Sequence, residues 1–335
     1  MKKIFTLLAL TTSFSMNAQM SDNSSGTSAI GTYAVAMGYS TTASGDASTA
    51  MGIVTTASGS RSTAMGDATT ASGTYSTAMG LGTTASGSGS TAMGDHTLAS
   101  GPVSTAMGFE TTASGTVSTA MGYNSTASGP VSTAMGLGTT ASGDISTAMG
   151  DYSTASGNNS TAMGYSAEAS GERSTAMGYN PTASGIASIA MGYYTRARGD
   201  YSTAMGIETT ASGTVSTAMG YWTTASDRSS LVIGEYNLTG STVTSSADQF
   251  SLDNTAFVIG NGADLDNRSD ALIVKFNGDA TLAGSMTATS FIGDGSQLTN
   301  LPFSYNSNEA GGIEVANYTT AVSYTHLTLP TSFLV

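Results

Sequence analysis

The chain has 335 residues, 39% apolar and only 9% charged, with 42 glycines, no cysteine and a formal net charge of −13. Disordered chains are usually poor in apolar residues and highly charged, so this balance points to a repeat architecture in which small residues close tight turns. The missing cysteines exclude disulfides, thiolate catalysis and Cys-based zinc sites, and the acidic balance argues against nucleic acid or anionic lipid as partner.

In chain order, Met1, Lys2 and Lys3 form a positive start, Ile4 to Met16 a short apolar run, and Ala18-Gln19 a small-residue cleavage point. That order predicts a secretory signal peptide over 1–18, followed by a linker over 19–27. The apolar run is shorter than the roughly 20 residues a membrane-spanning helix needs.

From there Ala-Met-Gly recurs, with Met at 37, 51, 65, 79, 93, 107, 121, 135, 149, 163, 177, 191, 205 and 219, every interval being 14 residues. Leu231-Val232-Ile233-Gly234 is one degenerate further step. Half a period later comes a second unit, as in Thr55-Thr56-Ala57-Ser58-Gly59. Each unit reads as a short strand closed by Gly and two variable residues. A helix is a poor alternative, because Gly every seven residues costs nearly 1 kcal/mol each. The pattern therefore predicts an all-β fold over 28–237: a parallel β-roll, or β-solenoid, with two short strands per 14-residue coil. At about 4.8 Å per coil, roughly fifteen coils give a rod near 70 Å long.

Strand alternation sorts the side chains. Ala50 opposes Thr49 and Met51, and Ala57 opposes Thr56 and Ser58. Pointing Thr and Ser inward would bury many hydroxyls, each needing a partner; placing both Ala columns inside avoids that. One outer face is then Thr and Met, the other Thr and Ser. Arg196, Arg198 and Glu168 fall on the second face, which therefore accepts charge. On the first face the Thr49 position changes only to Val35 and Ile189, and the Met position does not change through fourteen copies. A stacked Met column exposes on the order of 500–700 Å² of apolar surface, at or above the largest patch usual on a soluble monomer. Another copy of the chain is the natural cover, in a cyclic assembly, with burial worth on the order of 15 kcal/mol before association costs. The predicted interface is Met51, Met65, Met79, Met93, Met107, Met121, Met135, Met149, Met163, Met177, Met191, Met205 and Met219. Composition does not choose between dimer and trimer.

The unit Ser-Thr-Ala-Met-Gly-x-x-Thr-Thr-Ala-Ser-Gly-x-x resembles the 14-residue head repeat of YadA-type trimeric autotransporter adhesins, over about Ser28 to Asn237. There the first half more often reads Ser-Val-Ala-Ile-Gly, nearly preserved at Leu231-Val232-Ile233-Gly234. The resemblance implies a left-handed roll, a homotrimer, and an adhesive role at the cell surface or outer membrane. It also implies a host or environmental protein or glycan as ligand. Met and Thr stand here where Ile and Val are commoner.

Residues 238–302 are expected to form a β-rich connector. Ala256-Phe257-Val258-Ile259-Gly260 echoes the repeat once. Leu272 to Phe276, Asn277-Gly278 and Ala280 to Leu282 read as a strand, a type I′ turn and a strand. Ser290 to Pro302 looks like a connector of bacterial and phage fibre proteins, which often end in an endosialidase-type chaperone. This keeps a structural fibre as an alternative to an adhesin. Residues 303–321 read as the start of a further segment. Residues 322–335 match one reading frame of a transposon-type sequencing adapter and are expected to be an artefact, with any membrane-anchoring part lying beyond.

No catalytic, cofactor-binding or metal site is assigned. His96 sits in a variable turn slot, and the serines lack a plausible base. Asp264, Asp266 and Asp270 only partly resemble a calcium loop, lacking its Gly and closing Glu. Tyr39, Phe109, Tyr123, Tyr165, Tyr179, Tyr193 and Tyr221 follow Met-Gly at the turn edge. Tyr123, Tyr165, Tyr179, Tyr193 and Tyr221 are the candidate ligand edge, since Tyr joins contact area to a hydroxyl; the other reading makes them buttresses between coils or chains. Flat Thr arrays on the second face also suit an ice-binding solenoid, although Arg196, Arg198 and Glu168 interrupt them.

Overall fold

The computed structural model describes residues 20–21, 26–238, 247–287 and 289. The expected signal peptide, the segments 303–321 and 322–335, and the connector motif at 290–302 lie outside the described residues. The chain divides into one unit ending at Gly284 and another beginning at Ser285. Among the described residues, all the strands belong to the first unit.

Each 14-residue coil supplies one long strand, such as Thr49–Ile53, and one short strand, such as Thr56–Ala57. Within the repeat, each strand pairs in parallel with the strand 14 residues on: Ala50 with Ala64, Met51 with Met65, Ala57 with Ala71. The long strands run from Val35–Tyr39 to Leu231–Glu235, and the short strands from Ser28–Ala29 to Thr224–Ala225. The result is a parallel β-solenoid of about 15 turns, with no helix among the described residues. The two halves of a coil are less alike than the sequence suggests. In the first half Gly and the residue after it remain in the ladder, so that strand has five residues and the other has two.

Stack spacing explains the glycines. A Cβ on Gly122 would lie 2.2 Å from the carbonyl oxygen of Gly136, and one on Gly129 would lie 2.1 Å from that of Gly143. Neither backbone can yield without opening the stack, so close approach between coils excludes any side chain there.

Both Ala columns are fully buried, Ala50 and Ala57 at 0% exposure, as the alternation requires. The expectation that this placement keeps hydroxyls out of the core is corrected. Ser48 and Thr55, just before each strand, are also fully buried, and so are their equivalents in most coils. The chain bends inward at these corners, so strand alternation does not govern them. Some of these hydroxyls find carbonyls: Ser76 donates to Gly73 O at 2.7 Å and Ser125 to Gly136 O at 2.9 Å. Others, including Ser48, Thr55 and Thr111, make no hydrogen bond.

The short sheet ends on a side chain. In regular coils a backbone carbonyl accepts the first N–H of the short strand, as Thr223 does for Thr210 at 2.8 Å. At the last coil the Asn237 amide replaces a strand: Thr224 N–H donates to its Oδ1 at 2.7 Å, and its Nδ2 donates to Thr224 O at 3.0 Å. Asp227 occupies a position that is Gly in the preceding coils. Its Oδ2 accepts the Thr255 N–H at 2.8 Å. Arg268 donates to the carbonyls of Trp222 and Asn237 at 3.2 and 3.1 Å.

The long sheet continues. Thr255–Asn261 pairs in parallel with Leu231–Glu235, placing Phe257 beside Leu231 and Ile259 beside Ile233, so the echo of the repeat is one more rung. Asp270–Lys275 and Ala280–Leu282 then add as antiparallel strands. Their turn is not the expected two-residue type I′, which needs positive φ at both central residues. Only Gly278 has positive φ, at 94°. Lys275 N–H donates to Asp279 O at 2.8 Å and Gly278 N–H to Lys275 O at 3.1 Å. This is a three-residue loop with Gly in the left-handed position.

Candidate functional site: the methionine face and the aromatic edge

The outer face of the long sheet carries Met in register, each paired with Met of the next coil, as Met107 with Met121 and Met121 with Met135. These side chains are half-buried by one another, and Met177 is exposed at 36%. Among the described residues no further strand packs over them; each long strand touches its stack neighbours and adjacent short strands. All thirteen predicted interface methionines lie in this column, and Ile233 and Ile259 extend it. The opposite face presents half-buried Thr56 and exposed Ser58. Glu168 and Arg198 are exposed there, and Arg196 lies 3.5 Å from the Glu208 carboxylate.

The aromatic edge divides into three groups. Tyr165, Tyr179 and Tyr193 form a continuous ladder, with centroids 4.7 and 5.0 Å apart and rings within 8° and 14° of parallel. Tyr123 stacks on Phe109 at 5.0 Å. Tyr221 meets Tyr236 edge-on at 5.2 Å. Leu137, Asp151 and Ile207 separate the groups. Parallel pairing at strand spacing forces like residues on adjacent coils into register, so aromatic faces cover each other. A ligand therefore meets ring edges and hydroxyls rather than open faces.

Sequence reasoning missed the next column. Tyr194 packs against Tyr179 and Tyr193, and Trp222 stacks with Tyr236. The doublets Tyr193-Tyr194 and Tyr221-Trp222 were the available signal. This second turn residue is left-handed in coil after coil, at φ 52° for Tyr194 and 54° for Trp222. Desolvation within the ladder, together with Tyr194, Tyr165 and Tyr193, raises the Tyr179 hydroxyl above its ordinary pKa. The Tyr236 hydroxyl, held first by its hydrogen bond with Tyr221 and then by desolvation, is pushed up to about 12.

The remaining candidates are dispersed. His96 is an exposed turn residue whose Nδ1 meets the Asp95 carboxylate. Asp264 Oδ1 accepts the N–H groups of Asp266 and Asn267 at 2.9 and 2.8 Å, and the Asn267 contacts lower its pKa. Asp270 instead accepts the Leu238 N–H at 3.1 Å, and burial raises its pKa. These carboxylates bond separate backbone segments.

Nine stretches match the family model described as the YadA head domain repeat (2 copies): 29–53, 57–83, 85–111, 99–125, 113–139, 127–153, 155–180, 183–209 and 211–235. No curated protein matches the chain.

Proposed function

Because the chain belongs to the YadA head-repeat family, we propose that it acts as the non-enzymatic head of a homotrimeric adhesin, secreted and displayed at the cell surface. The observation that carries this reading is the in-register Met column on an uncovered sheet face. Three copies packed on that face remove it from water and leave the Thr/Ser face and the turn edges outward. Adhesion then comes from weak contacts repeated along each head and multiplied by three chains and by many heads per cell. The Tyr165–Tyr179–Tyr193 ladder is the proposed contact edge. Its ring edges and hydroxyls suit a protein or glycan surface rich in hydrogen-bonding groups.

The test displays the head on a non-adherent cell and measures attachment to matrix proteins and glycans. Replacing Tyr165, Tyr179 and Tyr193 with Ser is expected to lower attachment while leaving the sedimentation mass unchanged. Loss of the trimer instead would make these rings buttresses between chains. The outward Thr and Ser columns favour a second reading, an ice-binding face; thermal hysteresis in the purified chain would support it, and its absence would dismiss it.

A further inference from the structure

Asp227 is the only charged side chain buried among the described residues, at 3% exposure. Its Oδ2 accepts the Thr255 N–H at 2.8 Å, but its Oδ1 is buried without a hydrogen bond. Taking a carboxylate out of water is costly unless something compensates its charge. The neighbouring donors are committed elsewhere. Arg228 is exposed and donates to Asp248 O at 3.0 Å, and Arg268 donates to the carbonyls of Trp222 and Asn237. The Asn237 amide nitrogen donates to Thr224 O and Leu238 O, at 3.0 and 2.6 Å. Ser230 Oγ donates to the backbone carbonyl of Asp227 at 2.8 Å.

Asp227 lines a small cavity with room for a water-sized occupant. Thr224, Ser226, Ser230 and Thr255 share the lining, each a hydroxyl residue, and no Lys, Arg or His does. Val232 and Val258 also belong to it. Both are buried and continue the inward Ala column, Val232 pairing with Ala218 and Val258 with Val232. The cavity therefore lies on the inner side of the long sheet, away from the methionine face. Carboxylate and hydroxyl oxygens are hard donors that suit hard cations. One carboxylate carries one negative charge, so a monovalent ion neutralises it, whereas a divalent ion leaves a net positive charge buried.

We propose that this cavity binds a hard monovalent cation, sodium or potassium, on Asp227 Oδ1. The ion ties the turn at Asp227 and Ser230 to the strand that begins at Thr255, and so fixes the end of the repeat array. The site goes beyond the adhesive reading and stands whether or not the chain forms a trimer.

The test follows amide exchange of the full chain in sodium or potassium chloride and in choline chloride at equal ionic strength, choline being too large for the cavity. Exchange at Thr255 and Ser230 is expected to slow about tenfold when the ion is at about ten times its Kd, with Thr126 and Ala127 in a distant coil unchanged. Asp227→Asn keeps an acceptor for the Thr255 N–H and removes the charge. It is expected to fold as the wild type does by circular dichroism and to lose the ion dependence. Rubidium, a heavier stand-in for potassium, is expected to give an anomalous scattering peak beside Asp227 Oδ1 in wild-type crystals. Equal exchange in choline, an ion dependence that survives Asp227→Asn, or protection by calcium where sodium and potassium give none overturns the proposal. So does a rubidium-soaked wild-type crystal without that peak.

Discussion

The turn residues offer a quantitative test of strain. Val103 and Val131 sit in the left-handed region at φ 56° and 57°, where a β-branched side chain is an outlier. The coil geometry imposes this, because each N–H must reach back to the previous coil: Val103 donates to Ser88 O and Val131 to Thr116 O, both at 2.8 Å. Asn already occupies this column at Asn159, and the left-handed position of the coil's other turn at Asn124 and Asn180, with φ between 51° and 58°. Changing both valines to Asn relieves about 1–2 kcal/mol of left-handed strain per site. Against this stands lost burial: the valines are 60% and 51% exposed, so each exchange forfeits less than about 1 kcal/mol. The two sites are two coils, or about 10 Å, apart, so their effects should add. The double variant should gain about 1–2 kcal/mol, slowing amide exchange between residues 88 and 131 by about 5- to 30-fold. Exchange is preferable to a melting curve, because repeat arrays depart from two-state behaviour. Unchanged or faster exchange would refute the strain argument.

Three further outcomes rest on the packing. Gly136→Ala puts a Cβ 1.9 Å from Gly150 O at φ 131°; it should cost more than about 4 kcal/mol, seen as loss of soluble β-structure by circular dichroism. Asn237→Ala removes the amide that caps Thr224 and should cost about 1–3 kcal/mol, with faster exchange at Thr224 and Ala225. Raising the pH should ionise Tyr236 near 12. Because the fold raises this pKa, its contribution is intact below the ordinary tyrosine value near 10 and is lost as pH climbs towards 12. Tyr221→Phe should bring the transition back towards 10 in an ultraviolet titration.

The period, the parallel stacking and the inward Ala columns were legible because a 14-residue repeat leaves few ways to close a coil. The outward Met column followed from alternation within a five-residue strand. Alternation fails at corners, so Ser48 and Thr55 were not recognised as core, nor was Gly52 recognised as a strand residue. Their positions depend on how the chain bends between strands, which composition does not encode. The left-handed turn positions, with Val103 in one column and Tyr194 in the other, carry Gly or Asn in only some coils, short of the bias that usually marks such turns. Cross-coil N–H bonds impose the conformation instead. Asp227 in a glycine column was readable as an anomaly, but its role appears only once its neighbour Thr255 is placed. The aromatic ladder was visible as a set of positions; face-to-face stacking, which removes the ring faces from any ligand, required the register.

The central claim is that the methionine face is covered by two further copies of the chain. Sedimentation equilibrium of the purified chain tests this most directly. A mass three times that of the single chain is the predicted result. A stable monomer would contradict it, because the half-buried methionines would then be tolerated in water and the face would need no partner.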